Sequence, residues 1–167
     1  MSARRAAQTG AAAGLALCLG VLGVASFSCV SDGPIGPFPG GALRGEALPC
    51  LETGWERFAS ETESELEVRP ERPRSIRTWN VVQGGRLYLP ADFLTPIKRW
   101  PQQVQEDDRV KLRIGGALYR CRAVRVGDAA RIEALRAAVA VKYDVSPDGR
   151  AARVPVWWFL IAPRSSP

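Results

Sequence analysis

Two Gly-Gly dipeptides constrain the fold of this chain more than any other feature, because each joins two runs of alternating residues. Apolar and polar positions alternate through Arg109–Ile114 and again through 117–123, on either side of Gly115-Gly116. Alternation at period two marks a half-buried strand. A two-residue link closes a hairpin when both residues take positive φ, which glycine does without steric cost. The register follows, with Val110 facing Cys121, Leu112 facing Tyr119 and Ile114 facing Ala117 on the core side. A second hairpin of the same build runs over 75–83, Gly84-Gly85 and 86–90, and sets Ile76, Thr78, Asn80, Val82, Leu87 and Leu89 on one face.

Further strands are expected at 43–47, 64–69 and 154–161. The last is a nearly unbroken apolar run of the kind buried on both faces, with Pro155 limiting its pairing at the start. Two neighbouring hairpins predict an antiparallel meander or barrel. Two helices interrupt the strands. One starts from Asp128 as its amino cap and places Ile132, Leu135, Val139 and Tyr143 on a single stripe. The other is short, over 97–107, with Pro101 in its first turn and Trp100 and Val104 facing inward.

Charge and composition exclude several functions. The chain has 23 basic against 17 acidic residues, and all but three of the basic ones are Arg. A surplus so dominated by one residue type reflects coding bias as much as a partner, so no nucleic acid is expected. There is no His at all, which removes Ser-His-Asp and Cys-His catalysis, an imidazole general base and every His-containing zinc site. No pair of cysteines has metal-site spacing, and no metal is expected.

The outward face of the first hairpin sets Arg109, Lys111 and Arg113 across from Arg122, Arg120 and Leu118. Like charges directly opposed are unfavourable without a counter-charge. Either an anion such as phosphate covers them, or Glu61, Glu63, Glu65 and Glu67, themselves at period two, lie alongside as a surface ladder. The ladder is the favoured of the two, since exposed ion pairs of this kind are common and weak.

The amino end is expected to be a targeting segment. Arg4 and Arg5 precede an apolar run over 11–27, in the order of a secretory signal. Ser26-Phe27-Ser28-Cys29 resembles the bacterial lipobox, which implies acylation at Cys29 and a membrane anchor; an uncleaved signal anchor is the alternative. Residues 29–41 are rich in Gly and Pro and are expected to be a spacer without regular structure. The chain is thus divided into a signal or anchor over 1–28, a tether over 29–41, a barrel domain over 42–164 and a tail over 165–167. Export would place Cys50 and Cys121 where a disulfide can persist. Two separate buried thiols are the slightly favoured alternative.

The order of hairpin, short helix, hairpin, helix and apolar strand resembles the split β-barrel of the flavin-binding pyridoxamine-phosphate-oxidase-like superfamily and its deazaflavin-dependent nitroreductase branch. The residues that carry the resemblance are Thr78-Trp79-Asn80-Val81-Val82, Gly85-Arg86-Leu87-Tyr88-Leu89, Lys98-Arg99-Trp100-Pro101 and Asp108–Gly116 with Tyr119. It implies a mainly β fold, a split antiparallel β-barrel with one good helix and one short one, and FMN or a deazaflavin as cofactor. Lys98 stands where that family holds phosphate at a helix start, with Arg99 beside it, and Arg77 and Trp79 lie on the strand that lines the cofactor. The Ser or Thr expected beside the helix-start Lys is present only as Thr95, with Pro96 between. A homodimer is implied as well.

Beside the resemblance, Thr78 and Asn80 would point polar groups among aliphatic neighbours and need partners. The edge of a bound ring or the neighbouring strand backbone could supply them. Trp79 or Trp100 is expected to stack on the ring. Two functions are therefore carried forward: a membrane-anchored flavin or deazaflavin oxidoreductase-like domain, and a non-catalytic envelope protein that uses the barrel as a scaffold for a partner.

Overall fold

The computed structural model describes residues 31–92, 98–145 and 155–164. The signal or anchor segment, Cys29, Thr95, Pro96 and the tail lie outside them. Among the described residues no helix is long and apolar enough to cross a membrane. Eight strands form one curled sheet: β1 Ala47–Pro49, β2 Glu63–Val68, β3 Arg74–Trp79, β4 Val81–Gln83, β5 Arg86–Asp92, β6 Arg109–Ile114, β7 Ala117–Arg125 and β8 Val156–Pro163. Helix α1, Trp100–Glu106, precedes β6, and helix α2, Ala129–Tyr143, follows β7.

The sheet order is β3-β2-β6-β7-β8-β5-β4, antiparallel throughout, with β1 added parallel to β7. The hairpin β6–β7 has the register that alternation predicts, Val110 against Cys121, Leu112 against Tyr119 and Ile114 against Ala117. Gly115 and Gly116 both take positive φ, 53° and 77°, the turn that matches the twist of the flanking strands.

The second hairpin is shorter than expected. Only Val81–Gln83 pairs with β5, in register Val81 to Tyr88. The chain before it, Arg74–Trp79, pairs instead with β2. Asn80 is the single residue between the two strands, yet β3 and β4 stand at opposite ends of the sheet order. One continuous stretch of chain therefore joins the two edges, and the sheet is drawn round into a split barrel.

At that corner Asn80 leaves both ladders, and its buried backbone groups need other partners. The end of α2 provides them. The Asn80 N–H donates to the Tyr143 hydroxyl at 3.0 Å, and the hydroxyl's own hydrogen faces the carbonyls of Thr62 at 2.6 Å and Asn80 at 2.7 Å. Lys142 Nζ donates to Glu61 O at 2.6 Å, Asn80 O at 3.1 Å and Asn80 Oδ1 at 3.0 Å.

The barrel interior packs Leu66, Leu112, Leu87, Leu89, Phe159 and Ile161. Trp55, Phe58 and Tyr119 close it with mutual ring contacts of 5.1–6.2 Å. Trp100 and Val104 of α1 face this core as expected, and the Trp100 ring lies 5.1 Å from Phe159. Helix α2 begins with the Asp128 carboxylate accepting the Arg131 N–H at 2.7 Å, and Leu135 packs with Val81, Tyr88 and Trp158 on the outer side of the sheet.

Three expectations are corrected. The strand expected at 43–47 forms instead at Ala47–Pro49, while Leu43 is buried and its N–H donates to the Glu67 carboxylate at 2.6 Å. Cys50 and Cys121 are bonded rather than separate. The parallel pairing of Pro49 with Arg120 sets the next residues side by side, with Cα atoms 5.0 Å apart. Residues 31–41 do not hang free. Gly40 exchanges backbone hydrogen bonds with Ser75 of β3 at 2.9 and 3.0 Å, and Ile35 and Phe38 close a two-residue turn on each other at 3.0 Å. A side chain at Gly40 would meet the Gly33 carbonyl oxygen at 1.7 Å, so this strap folds tightly on itself only with glycine there.

Two outcomes test this account. Tyr143→Phe strips the acceptor from the buried Asn80 N–H and should cost about 1–3 kcal/mol in urea unfolding. Reducing the disulfide frees a loop with a sequence separation of 71 residues and should cost about 4 kcal/mol by chain entropy, seen as a lower urea midpoint in reductant.

Candidate functional site

The ends of β3, β5 and β8, the start of α1, the outer turns of α2 and the strap surround one open cleft of about 1580 Å³. Arg77, Thr78 and Trp79 line it from β3, and Lys98, Arg99 and Trp100 from the entry to α1. Six of the seven residues expected at a cofactor site are thus brought together by the closure of the barrel. Asn80 is not among the lining residues. It is fully buried at the corner, with its carbonyl Oδ1 on Lys142 and its Nδ2 without a partner. The strand break turns it out of the face it would share with Thr78 in an unbroken strand.

Several of the six are already engaged. Lys98 Nζ lies 2.6 Å from Asp92 Oδ2. Arg77 reaches Glu63 at 3.4 Å and Glu65 at 3.8 Å. Trp79 is 44 % exposed, but one face of its indole is stacked on Tyr143, with centroids 4.4 Å apart and planes 9° apart. Trp100 is buried against Phe159. Thr78 Oγ1 makes only a long 3.5 Å contact to Pro90 O across the closure. Arg99 is exposed and, among the described residues, makes no ion pair.

The cleft also holds residues that the sequence did not single out. Arg74 stands on its rim, exposed and without an ion pair among the described residues. Arg136 of α2 and Phe38 of the strap line it as well. Trp158 forms part of the wall, and its Nε1 is buried with no acceptor among the described residues. Arg74 was within reach of sequence reasoning, since it continues the period-two series of Ile76 and Thr78. No sequence signal separates the strap from a spacer.

The basic face of the β6–β7 hairpin is not a second anion site. Glu65 pairs with Arg113 and Glu67 with Lys111 across the β2–β6 ladder, with side-chain contacts of 2.9 and 3.1 Å. Arg109 is held by Asp107 at 2.7 Å and Arg122 by Asp108 at 2.9 Å. Of the four alternating Glu residues, Glu63 thus pairs with Arg77 and Glu61 precedes β2, whereas Glu65 and Glu67 lie along the basic strand. At its end the strap is fastened by Asp32, whose Oδ1 accepts the Arg44 N–H at 2.8 Å and Arg113 Nη2 at 2.6 Å. These bonds, the backbone one foremost, hold the Asp32 carboxyl below its ordinary value.

No protein-family model matches the chain, and no curated protein matches it. Among solved structures it is similar to a pyridoxamine 5'-phosphate oxidase-like protein from Listeria innocua, at 15 % identity and a TM-score of 0.48, over 63 % of this chain and 86 % of that one. It is also similar to a FAD-binding protein from Mesorhizobium loti, at 13 % identity and a TM-score of 0.48, over 67 % and 88 %. A third is a NimC/NimA family protein from Clostridium acetobutylicum, at 14 % identity and a TM-score of 0.47, over 66 % and 83 %. The fold itself stands on the strand order and closure described above.

The strap gives a pH test with a definite sign. A carboxylate whose folded value is lowered contributes stability that is full above its unfolded value, about 3.9, and is lost as the pH falls through the lowered folded value. Amide exchange at Arg44, corrected for its intrinsic pH dependence, should therefore quicken below about pH 4. In Asp32→Asn that acid-dependent step should be absent.

Proposed function

We propose that this chain is an exported, membrane-anchored split-barrel domain that binds FMN or a deazaflavin in the cleft for redox chemistry. The observation that carries the reading is the convergence of Arg77, Thr78, Trp79, Lys98, Arg99 and Trp100 on one cleft. The donor set fits such a group in two respects. Arg99 and Arg74 are guanidinium groups on the rim with no ion pair among the described residues, suited to a phosphate. The buried Trp158 N–H lacks an acceptor among the described residues, which a ring carbonyl or ring nitrogen would supply.

When bound, the ring would supply the electron or hydride transfer, so few obligatory protein side chains are required. This chain's residues would bind and orient it. Arg99 would take the phosphate directly, and Lys98 would do so on exchanging Asp92 for it. Thr78 and Trp158 would face the ring edge. Of the two indoles expected to stack, Trp79 offers one open face, whereas Trp100 supports the wall from within. The Cys50–Cys121 bond supports export, because disulfides persist in oxidising compartments.

An absorbance spectrum of the full chain purified from a flavin-producing host, followed by titration with FMN and a deazaflavin, tests the proposal. A flavin band or saturable binding is expected, weakened at least tenfold in Arg99→Ala, as for loss of a charge-assisted phosphate contact of roughly 1.5–3 kcal/mol. A colourless protein that binds neither compound leaves the scaffold reading, in which the barrel only presents a surface to an envelope partner.

A further inference from the structure

The described residues begin at Ser31, two residues after Cys29. Ser31 is fixed between the Gly33 carbonyl at 2.7 Å and the Gly41 N–H at 3.5 Å, and Asp32 is bonded to Arg44 and Arg113. A chain advances at most about 3.6 Å per residue, so the Cα of an acylated Cys29 would lie within about 7 Å of that of Ser31. Were the apolar run ending at Phe27 kept as an anchor, the allowance would be about 14 Å. Neither lets the domain hang clear of a bilayer, and the strap is the part held nearest to it.

The strap presents Ile35 and Phe38, 44 % and 54 % exposed, beside the cleft that Phe38 itself lines. Trp79, another of the exposed large apolar residues among those described, lies on the cleft wall. Arg74 and Arg99 stand on the same rim. Exposed apolar tips flanked by guanidinium groups are the composition that settles at an anionic headgroup layer. We infer that Ile35, Phe38, Arg74 and Arg99 form the face by which the domain rests on an anionic phospholipid bilayer, so that the cleft opens at the headgroup layer. The inference rests on the anchoring part of the proposed function. An amphiphilic ligand with an anionic group would reach the cleft without leaving the membrane surface.

The test is photo-cross-linking in isolated membranes of the full chain, carrying a photoreactive phenylalanine analogue at Phe38 or at Leu48. Leu48 is 44 % exposed on β1, outside the cleft. Phospholipid adducts, read by mass spectrometry, are expected several-fold more often at Phe38. They should drop several-fold on adding Arg74→Glu and Arg99→Glu while the chain stays in the membrane fraction. Equal labelling at both positions in a membrane-bound chain overturns the orientation alone, and adducts unchanged by charge reversal overturn the anionic headgroup. Recovery of the chain in the soluble fraction overturns the anchoring and the orientation together. The comparison of Phe38 with Leu48 stands even if the double charge reversal does not fold.

Discussion

The corner at Asn80 is the constraint on which the rest of the molecule depends. Because β3 and β4 are consecutive in the chain and terminal at opposite ends of the sheet, the one residue between them must leave both ladders. A buried backbone group without a partner is costly, and the partners come from the last turn of α2. That helix is thus tied to the sheet at two points, by Leu135 against Tyr88 and Trp158 and by Lys142 and Tyr143 at the corner. Burial pushes the Lys142 amine down and the Tyr143 hydroxyl up from their ordinary values, and the three oxygens around the amine offset the cost of holding it there. The cleft follows from this geometry, since its walls from β3, β5 and α2 meet only because the strand turns where it does.

Charge is divided between two tasks. Along β2 and β6, Arg113 is matched with Glu65 and Lys111 with Glu67, while Arg109 is held by Asp107, and one carboxylate, Glu67, is nearly buried while serving both Lys111 and the Leu43 backbone. These pairs are internal. At the cleft rim, Arg74 and Arg99 are not matched among the described residues.

The parts legible in the sequence are those decided by local chemistry. The β6–β7 register was readable because only glycine fits both turn positions, and the start and stripe of α2 because a capping carboxylate precedes a helical repeat. The meeting of β3 with α1 was legible through family likeness and not through spacing. The break at Asn80 was hidden because Asn80 continues the alternation, so the sequence reads as one strand. The disulfide stood in the sequence only as one of two alternatives, because Cys50 reaches Cys121 through a parallel pairing of three residues, too short to leave a pattern. The strap was misread because Gly and Pro serve a spacer and a tight turn alike; only the close approach of Gly40 to Gly33 tells them apart.

The strand that joins both edges has a further effect on how copies of this protein behave toward one another. An open sheet exposes two rows of unpaired backbone groups, each a template for adding a strand from another molecule and for aggregation. Here one terminal strand, β4, is three residues long, and the other, β3, is bridged by the strap at Ser75. Both of these terminal strands thus offer a neighbour less than a full open edge. The same turn of chain that shapes the cleft therefore also shortens the edges along which copies of the domain could add strands to one another.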